Sequence, residues 1–172
     1  MSVQILTDST SDILPEEAEQ KGVRVVPLLV NFGEEAFREN VEITHQEYFR
    51  RLAQAESLPT TSQPTPQDFL AHFEQVRDAG DSLVCVLLAS KLSGTFQSAQ
   101  LAKELSGTYQ SACIAKEQFP EAVIQVVDTR QVTFGLALLV RQAAALRDAG
   151  HTGSEIAEQI SRLAARVRLY AV

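Results

Sequence analysis

The sequence predicts an α/β domain, a layered α/β/α structure with a mainly parallel sheet. Short apolar runs alternate with longer helical patterns, and the apolar runs are continuous instead of alternating with polar residues. Such runs, rich in β-branched residues, are typical of strands buried on both faces of a parallel sheet. The predicted strands lie at residues 3–6, 23–30, 83–88 and 123–127.

Helical patterns separate these strands, and several begin at residues that can cap a helix. Thr44 with Glu47, and Thr152 with Glu155, have the spacing of a capping box. A long helical stretch also begins at Ser93. The remaining helices are predicted at residues 15–21, 45–55, 66–79, 133–149 and 154–166.

Composition indicates one globular domain and argues against a nucleic-acid partner. A length of 172 residues suits a single domain, and 45% hydrophobic with 22% charged residues is ordinary. The net charge is −7, whereas binding to phosphates requires clustered Lys and Arg. No apolar run approaches the roughly 18 residues of a membrane span, and the N-terminus does not resemble a signal peptide. We therefore expect a cytoplasmic protein without a membrane span.

The sequence contains no strong signal for catalysis or metal binding. The histidines are scattered, and Cys85 and Cys113 lack CxxC spacing, so neither a zinc site nor a disulfide framework is indicated. Lys91 lies close to Ser93, but the motifs Gly-x-Ser-x-Gly and Ser-x-x-Lys are absent. We expect no enzyme activity, no metal and no cofactor. A serine acyl hydrolase or transferase acting through Ser93 is the less favoured alternative.

Hydroxyl-rich stretches follow three of the predicted strands. They are residues 7–12, 89–95 and 128–130. Ligands of open α/β sheets bind at the carboxyl ends of the strands, so these stretches predict a polar rim around a ligand site. Asp8, Ser9, Thr10 and Thr129 are candidates for the mouth of a pocket. Taken singly, such stretches are also typical of helix caps and turns.

Residues 92–104 are followed at once by a nearly identical segment, residues 105–117. Such agreement indicates a recent tandem duplication. One helix through both copies would turn their apolar faces in nearly opposite directions, so a break near Ser106 and Gly107 is predicted. A short connection from the third strand favours the first copy, with Ser93 and Gly94, in the position after that strand. The second copy remains an alternative, as does a swap between copies or between chains.

Four motifs occur in order along the chain: Thr-Asp-Ser-Thr-Ser-Asp at 7–12, Thr-Ser-Gln-Pro at 61–64, Ser-Lys-Leu-Ser-Gly-Thr-Phe-Gln-Ser-Ala at 90–99, and Val-Asp-Thr at 127–129. Together they resemble the DegV family of bacterial fatty-acid-binding proteins, along essentially the whole chain. The resemblance implies a two-domain α/β protein of phospholipid metabolism. Such a protein binds a long-chain fatty acid, for example palmitate or stearate, and presents it to a separate fatty acid kinase.

The resemblance also implies which residues hold the carboxylate. Thr61 and Ser93, each expected on a loop, match the family's head-group hydroxyls, and Ser62 and Gly94 flank them with backbone N–H groups. Because of the repeat, Ser106 and Gly107 are the duplicate-copy alternatives to the second pair.

The sequence departs from the family pattern at its end and at two turns. It stops at Val172, where a second domain is expected, so residues 1–172 are interpreted as the N-terminal, lipid-binding half of a longer protein. Residues 38–40 read Arg-Glu-Asn where an Asp-Gly turn is usual, and Thr129 stands where serine is usual. The alternative is a truncated remnant that binds no lipid and forms a homodimer through its apolar C-terminal segment.

Overall fold

A computed structural model of the chain describes residues 2–89 and 107–168. The elements in chain order are β1 (Val3–Asp8), a 3-10 turn (Ser9–Ser11), α1 (Pro15–Lys21), β2 (Val23–Val26), β3 (Leu29–Phe32), β4 (Glu35–Arg38), α2 (His45–Leu52), β5 (Thr60–Ser62), α3 (Pro66–Asp78), β6 (Ser82–Leu87), α4 (Gly107–Lys116), β7 (Val123–Asp128), α5 (Thr133–Asp148) and α6 (Gly153–Ala164).

Four strands form a parallel sheet in the order β2-β1-β6-β7. Ile5 of β1 lies opposite Val23 of β2 on one side and Val84 of β6 on the other. Every residue of the central strand β6 is buried, as its continuous apolar run predicts. The predicted α/β class is confirmed. Because the strands are parallel, their carboxyl ends meet along one edge of the sheet.

Helices cover both faces of this sheet, which gives the predicted α/β/α layers. Val84 and Val86 pack in a core with residues of α5 and α6, among them Leu136 and Ile160. The alternate residues of β6 pack in a second core with α3 and α4. The main members of that core are Leu83, Cys85, Leu87, Phe69, Phe73, Ala112, Ala115 and Phe119.

A second, antiparallel sheet has the order β4-β3-β5. The single strand predicted at residues 23–30 is wrong: β2 ends at Val26 and β3 begins at Leu29, and the two belong to different sheets. Pro27 lies between them, and proline cannot donate to a strand ladder. Strands β4 and β5 were not predicted, because most of their residues are exposed and lack an apolar pattern.

Most of the predicted helices are present, with ends set by local chemistry. Thr152 and Glu155 form the predicted capping box at the start of α6. The Thr44 hydroxyl accepts a hydrogen bond from the N–H of Glu47 at 3.2 Å. The stretch beginning at Ser93 and the predicted break at Ser106 lie outside the described residues. Within the described part of the chain, no helix is both long enough and apolar enough to cross a membrane.

Phe73 of α3 packs against Phe119, which follows α4, and its loss is expected to destabilise the protein strongly. Its ring is fully buried, 6.1 Å from that of Phe69 and 6.2 Å from that of Phe119 between centroids. Phe73→Ala should lower the free energy of unfolding by about 3–5 kcal/mol, because it leaves a cavity in the core. Leu58→Ala, at an apolar position that is 83% exposed, should change it by less than about 0.5 kcal/mol. Urea denaturation followed by circular dichroism measures both, and equal effects would contradict this packing.

Candidate functional site

The carboxylate of Asp8 joins the carboxyl ends of β1 and β6. Asp8 is fully buried, and its Oδ2 accepts a hydrogen bond from the N–H of Leu88 at 2.8 Å. Its Oδ1 accepts from the N–H of Thr10 at 3.0 Å and from the Thr10 hydroxyl. Burial raises the pKa of Asp8, while the hydrogen bonds from Leu88 and Thr10 act in the opposite direction. Asp8 therefore holds the segments that follow β1 and β6 together.

Ser9 connects this edge to the second sheet. Its hydroxyl donates to the carboxylate of Glu39 at 2.7 Å and accepts from the N–H of Leu28 at 2.9 Å. Leu28 precedes β3 and Glu39 follows β4, and the Glu39 N–H donates to the Leu28 carbonyl at 3.0 Å. Ser9, which is 2% exposed, thus fixes one sheet against the other.

Thr129, directly after β7, also holds two segments of backbone together by hydrogen bonds. Its hydroxyl donates to the carbonyl of Leu87 at 2.7 Å and accepts from the N–H of Gln131 at 3.2 Å. The residue is fully buried. These bonds hold the start of the β7–α5 connection against the end of β6.

A cavity of about 590 Å³ lies beside these contacts, at the carboxyl edge of the parallel sheet. A volume of this size is ordinary for a small-molecule site. One part of the wall carries hydroxyl, amide and carboxyl groups, and another part is aliphatic. The lining residues are Thr10, Asp12, Leu28, Glu39, Thr61, Gln63, Leu88, Thr108, Val132 and Thr133.

Of the four residues predicted at the pocket mouth, Thr10 lines the cavity. Asp8, Ser9 and Thr129 instead hold the backbone around it, through the hydrogen bonds described above. Hydroxyl-rich sequence after a strand therefore marks residues at the carboxyl edge of the sheet, but it does not separate side chains that line the cavity from side chains that hold the backbone.

Thr61 and Ser62 were expected on a loop, and this is wrong: both lie in the edge strand β5. Thr61 is paired with Val30 of β3. Successive side chains of a strand point to opposite faces. Accordingly, Thr61 lines the cavity, whereas the Ser62 hydroxyl accepts a hydrogen bond from the amide of Asn31 at 2.9 Å. The structure thus places one of these two hydroxyls at the cavity.

Gly107 and Thr108, at the start of the described part of α4, lie beside the same cavity. Thr108 is 2% exposed and contributes to the lining. A Cβ atom at Gly107 would lie 1.4 Å from Oε1 of Gln63, so the side chain of Gln63 occupies the space that the glycine leaves. Ser93, Gly94 and Ser106 are outside the described residues.

The backbone around the cavity is strained. Among the described residues, four that are not glycine have left-handed backbone angles: Asp12 (φ 54°), Asn40 (φ 59°), Arg130 (φ 54°) and Thr133 (φ 50°). Asp12 and Thr133 line the cavity, and Asn40 follows the lining residue Glu39. A β-branched residue in this conformation is a genuine outlier. Strain of this kind tends to gather at ligand sites, where the surrounding structure maintains it.

The cavity contains carboxyl groups that hold their protons more tightly than exposed ones. Burial raises the pKa of Glu39, and the nearby Asp12 and Asp8 add to this, whereas the Ser9 hydrogen bond and His45 act against it. Burial also raises the pKa of Asp12. The described residues include no group of three or more His, Cys, Asp or Glu side chains arranged to hold a metal ion.

Comparison with known proteins gives the family. The family model for DegV proteins matches the chain in two overlapping segments, residues 2–104 and 100–172. The chain belongs to the DegV family. A DegV domain-containing protein of Clostridium perfringens is 34% identical over 92% of this chain and 52% of its own length. The chain spans about half the length of such relatives.

Solved structures of DegV proteins have the same fold. The fatty-acid-binding DegV protein of Thermus thermophilus superposes with a TM-score of 0.79 at 33% identity, covering 96% of this chain and 54% of that one. A stearic acid-binding protein of Eubacterium ventriosum superposes with a TM-score of 0.78 at 30% identity, covering 93% and 52%. With the family match, these two fatty-acid-binding neighbours confirm the resemblance stated from the motifs.

Several lining residues of this DegV chain were not singled out from the sequence. Glu39 lies 30 positions from Ser9, its hydrogen-bond partner, and only the fold brings the two together. Gln63 was part of a motif, but nothing in the motif shows that its side chain lies against a glycine of the repeat. Thr133 lies at the start of an otherwise ordinary helix. To identify these positions from sequence, one would need to know which residues far apart in the chain are in contact.

The raised pKa of Glu39 predicts that this residue makes stability depend on pH. The folded state holds the proton above the usual pKa of 4.5, so stability falls as pH rises through the range between the unfolded and the folded pKa. Glu39→Gln removes this titration and keeps an oxygen that can accept from Ser9. The free energy of unfolding of the wild type minus that of the variant should therefore decrease from pH 4 to pH 7.

Denaturation at a series of pH values measures this difference. Glu34→Gln removes an exposed carboxylate from the β3–β4 turn and should keep the pH dependence of the wild type. A difference that stays constant with pH for Glu39→Gln would refute the role given to burial.

Proposed function

We propose that this chain binds a long-chain fatty acid and places the carboxyl group in the cavity at the carboxyl ends of β1 and β6. The observation that carries this proposal is that threonine residues from separate elements line one cavity. Thr10 follows β1, Thr61 lies in β5, and Thr108 lies in α4, and all three line one cavity. The fatty-acid binding of the solved DegV relatives supports the same ligand class.

Hydroxyl groups suit a carboxyl group that can be charged or neutral. A hydroxyl donates to a carboxylate and can accept from a protonated acid. Burial raises the pKa of the lining residue Glu39, so this carboxyl group keeps its proton to a higher pH than an exposed glutamate does. Each hydrogen bond to a charged carboxylate contributes about 1.5–3 kcal/mol.

The acyl tail sets the affinity and the head group sets the orientation. Each buried methylene contributes about 0.8 kcal/mol, so roughly fourteen of them supply about 11 kcal/mol at most. The translational and rotational freedom that the ligand loses on binding offsets about 4 kcal/mol or more of this favourable free energy. Leu28, Leu88 and Val132 form the aliphatic part of the cavity wall, where the first methylenes beyond the carboxyl group would pack. Palmitate and stearate are the proposed ligands.

We propose no catalytic step for this chain. Its role is that of a cytoplasmic carrier that presents the acid to a fatty acid kinase, as the family resemblance implies. Hydroxyl contacts support this role, because they orient a carboxyl group without forming a covalent bond to it. The N–H of Ser62 remains a proposed head-group contact. So does the Ser-Gly pair of the repeat, at Ser93 and Gly94 or at the corresponding positions of the second copy.

Thr61→Val should weaken the binding of stearic acid about tenfold or more, because it removes one hydrogen bond to the head group and keeps the β-branched shape. Thr60→Val is the matched control. Thr60 neighbours Thr61 in β5, and its hydroxyl is 3.4 Å from the Asn31 amide on the other face of the strand. Titration calorimetry with stearic acid measures both variants. Equal affinities for the two would remove Thr61 from the site.

A further inference from the structure

The two copies of the repeat compete for one place in the fold. Gly94 and Thr95 of the first copy correspond to Gly107 and Thr108 of the second. The local sequence is nearly the same around both pairs, so the motif alone does not say which pair reaches the cavity. The length of the connection from β6 favours the first copy, as noted above. The described structure and the sequence after the repeat both favour the second copy.

The second copy forms the helix that covers the sheet. Ala112 and Ala115 of α4 are fully buried, in the same core as Phe69 and Phe73 of α3. This core lies on one face of β6. A single helix fills this place in the layer, so a segment that forms α4 excludes its duplicate from the same position.

Phe119 distinguishes the two copies, because it lies just beyond the repeat. It follows the end of α4 at Lys116 and packs in the same core as Ala112 and Ala115. Phe119 is 4% exposed, its ring centroid is 6.2 Å from that of Phe73, and the guanidinium carbon of Arg77 is 5.2 Å from its ring centroid.

The first copy lacks an equivalent of this aromatic anchor. The residues 13 positions earlier than Ala112, Ala115 and Phe119 are Ala99, Ala102 and Ser106. In the place of α4, the first copy would therefore put a serine hydroxyl where the second buries a phenyl ring. Burial of a large apolar side chain strongly favours the second copy in that place. The preference for a short connection is weaker, because loop closure costs rise slowly with length.

The start of α4 provides the contact with the cavity. The side chain of Gln63 fills the space beside Gly107, with its Cδ 1.8 Å from where a Cβ would lie. Thr108, the next residue, lines the cavity together with Thr61. The second copy therefore both forms α4 and lines the cavity.

We propose that the second copy, through Gly107 and Thr108, supplies the contribution of the repeat to the ligand cavity, and that the first copy is the inserted one. Treating the cavity as a fatty-acid site rests on the proposed function. The assignment of the copy does not, because it depends on packing alone. The two statements can therefore fail separately.

Cysteine pairing tests the assignment without a ligand. A Cβ at Gly107 would lie close enough to the Gln63 side chain for the two Cβ atoms to fall within about 4.5 Å, the upper end of the range that disulfides span. The 172-residue chain with Cys85→Ala and Cys113→Gln, the latter copying Gln100 of the first copy, is the background. Gln63→Cys is combined with Gly107→Cys in one variant and with Gly94→Cys in the matched variant.

Mild oxidation followed by non-reducing electrophoresis and peptide mapping measures the cross-link. We expect an intramolecular disulfide between positions 63 and 107 in most of the molecules, and less than a tenth of that yield between positions 63 and 94. Preferential cross-linking to position 94, equal cross-linking to both, or cross-linking to neither would overturn the assignment.

Binding of stearic acid then tests the consequence for the site. Thr108→Val should weaken binding about tenfold, whereas Thr95→Val in the other copy should change it less than about twofold. The reverse order would overturn the assignment. If the wild-type chain binds no stearic acid while positions 63 and 107 cross-link, the proposed function fails and the assignment stands.

Discussion

Everything at the carboxyl edge of the parallel sheet depends on the buried carboxylate of Asp8. It receives the N–H of Leu88 from the end of β6 and two donors from Thr10 after β1. Burial of such a group is costly unless hydrogen bonds replace the lost water, so its presence here requires that both chain segments keep their positions. Thr10 and Leu88 both line the cavity, and the hydrogen bonds that satisfy Asp8 therefore also determine the shape of the cavity.

A second constraint joins the two sheets. Ser9 donates to Glu39 and accepts from the N–H of Leu28, which fixes β3 and β4 against the end of β1. Thr61 reaches the cavity because β5 pairs with β3. The proposed head-group contact of Thr61 thus depends on a series of pairings from Asp8, through Ser9 and β3, to the edge strand. This dependence explains why the hydroxyls come from distant parts of the chain.

The sequence was sufficient for the parallel sheet and the helices that cover it, because continuous apolar runs and capped helices are local signals. It was insufficient where pairing is non-local. Pro27 separates β2 from β3, but only the fold shows that the two strands enter different sheets. The alternation that directs Thr61 to the cavity and Ser62 to Asn31 appears only when β5 is known to be a strand. Glu39 reaches the cavity through a partner 30 residues away, which no local pattern reveals.

A crystal structure of the chain with stearic acid tests the central claim most directly. The account predicts the carboxyl group in the cavity beside Asp8, with an oxygen within about 2.5–3.2 Å of the Thr61 hydroxyl, and the first methylenes against Leu88 and Val132. A carboxyl group bound at another surface, with this cavity holding only solvent, would contradict it.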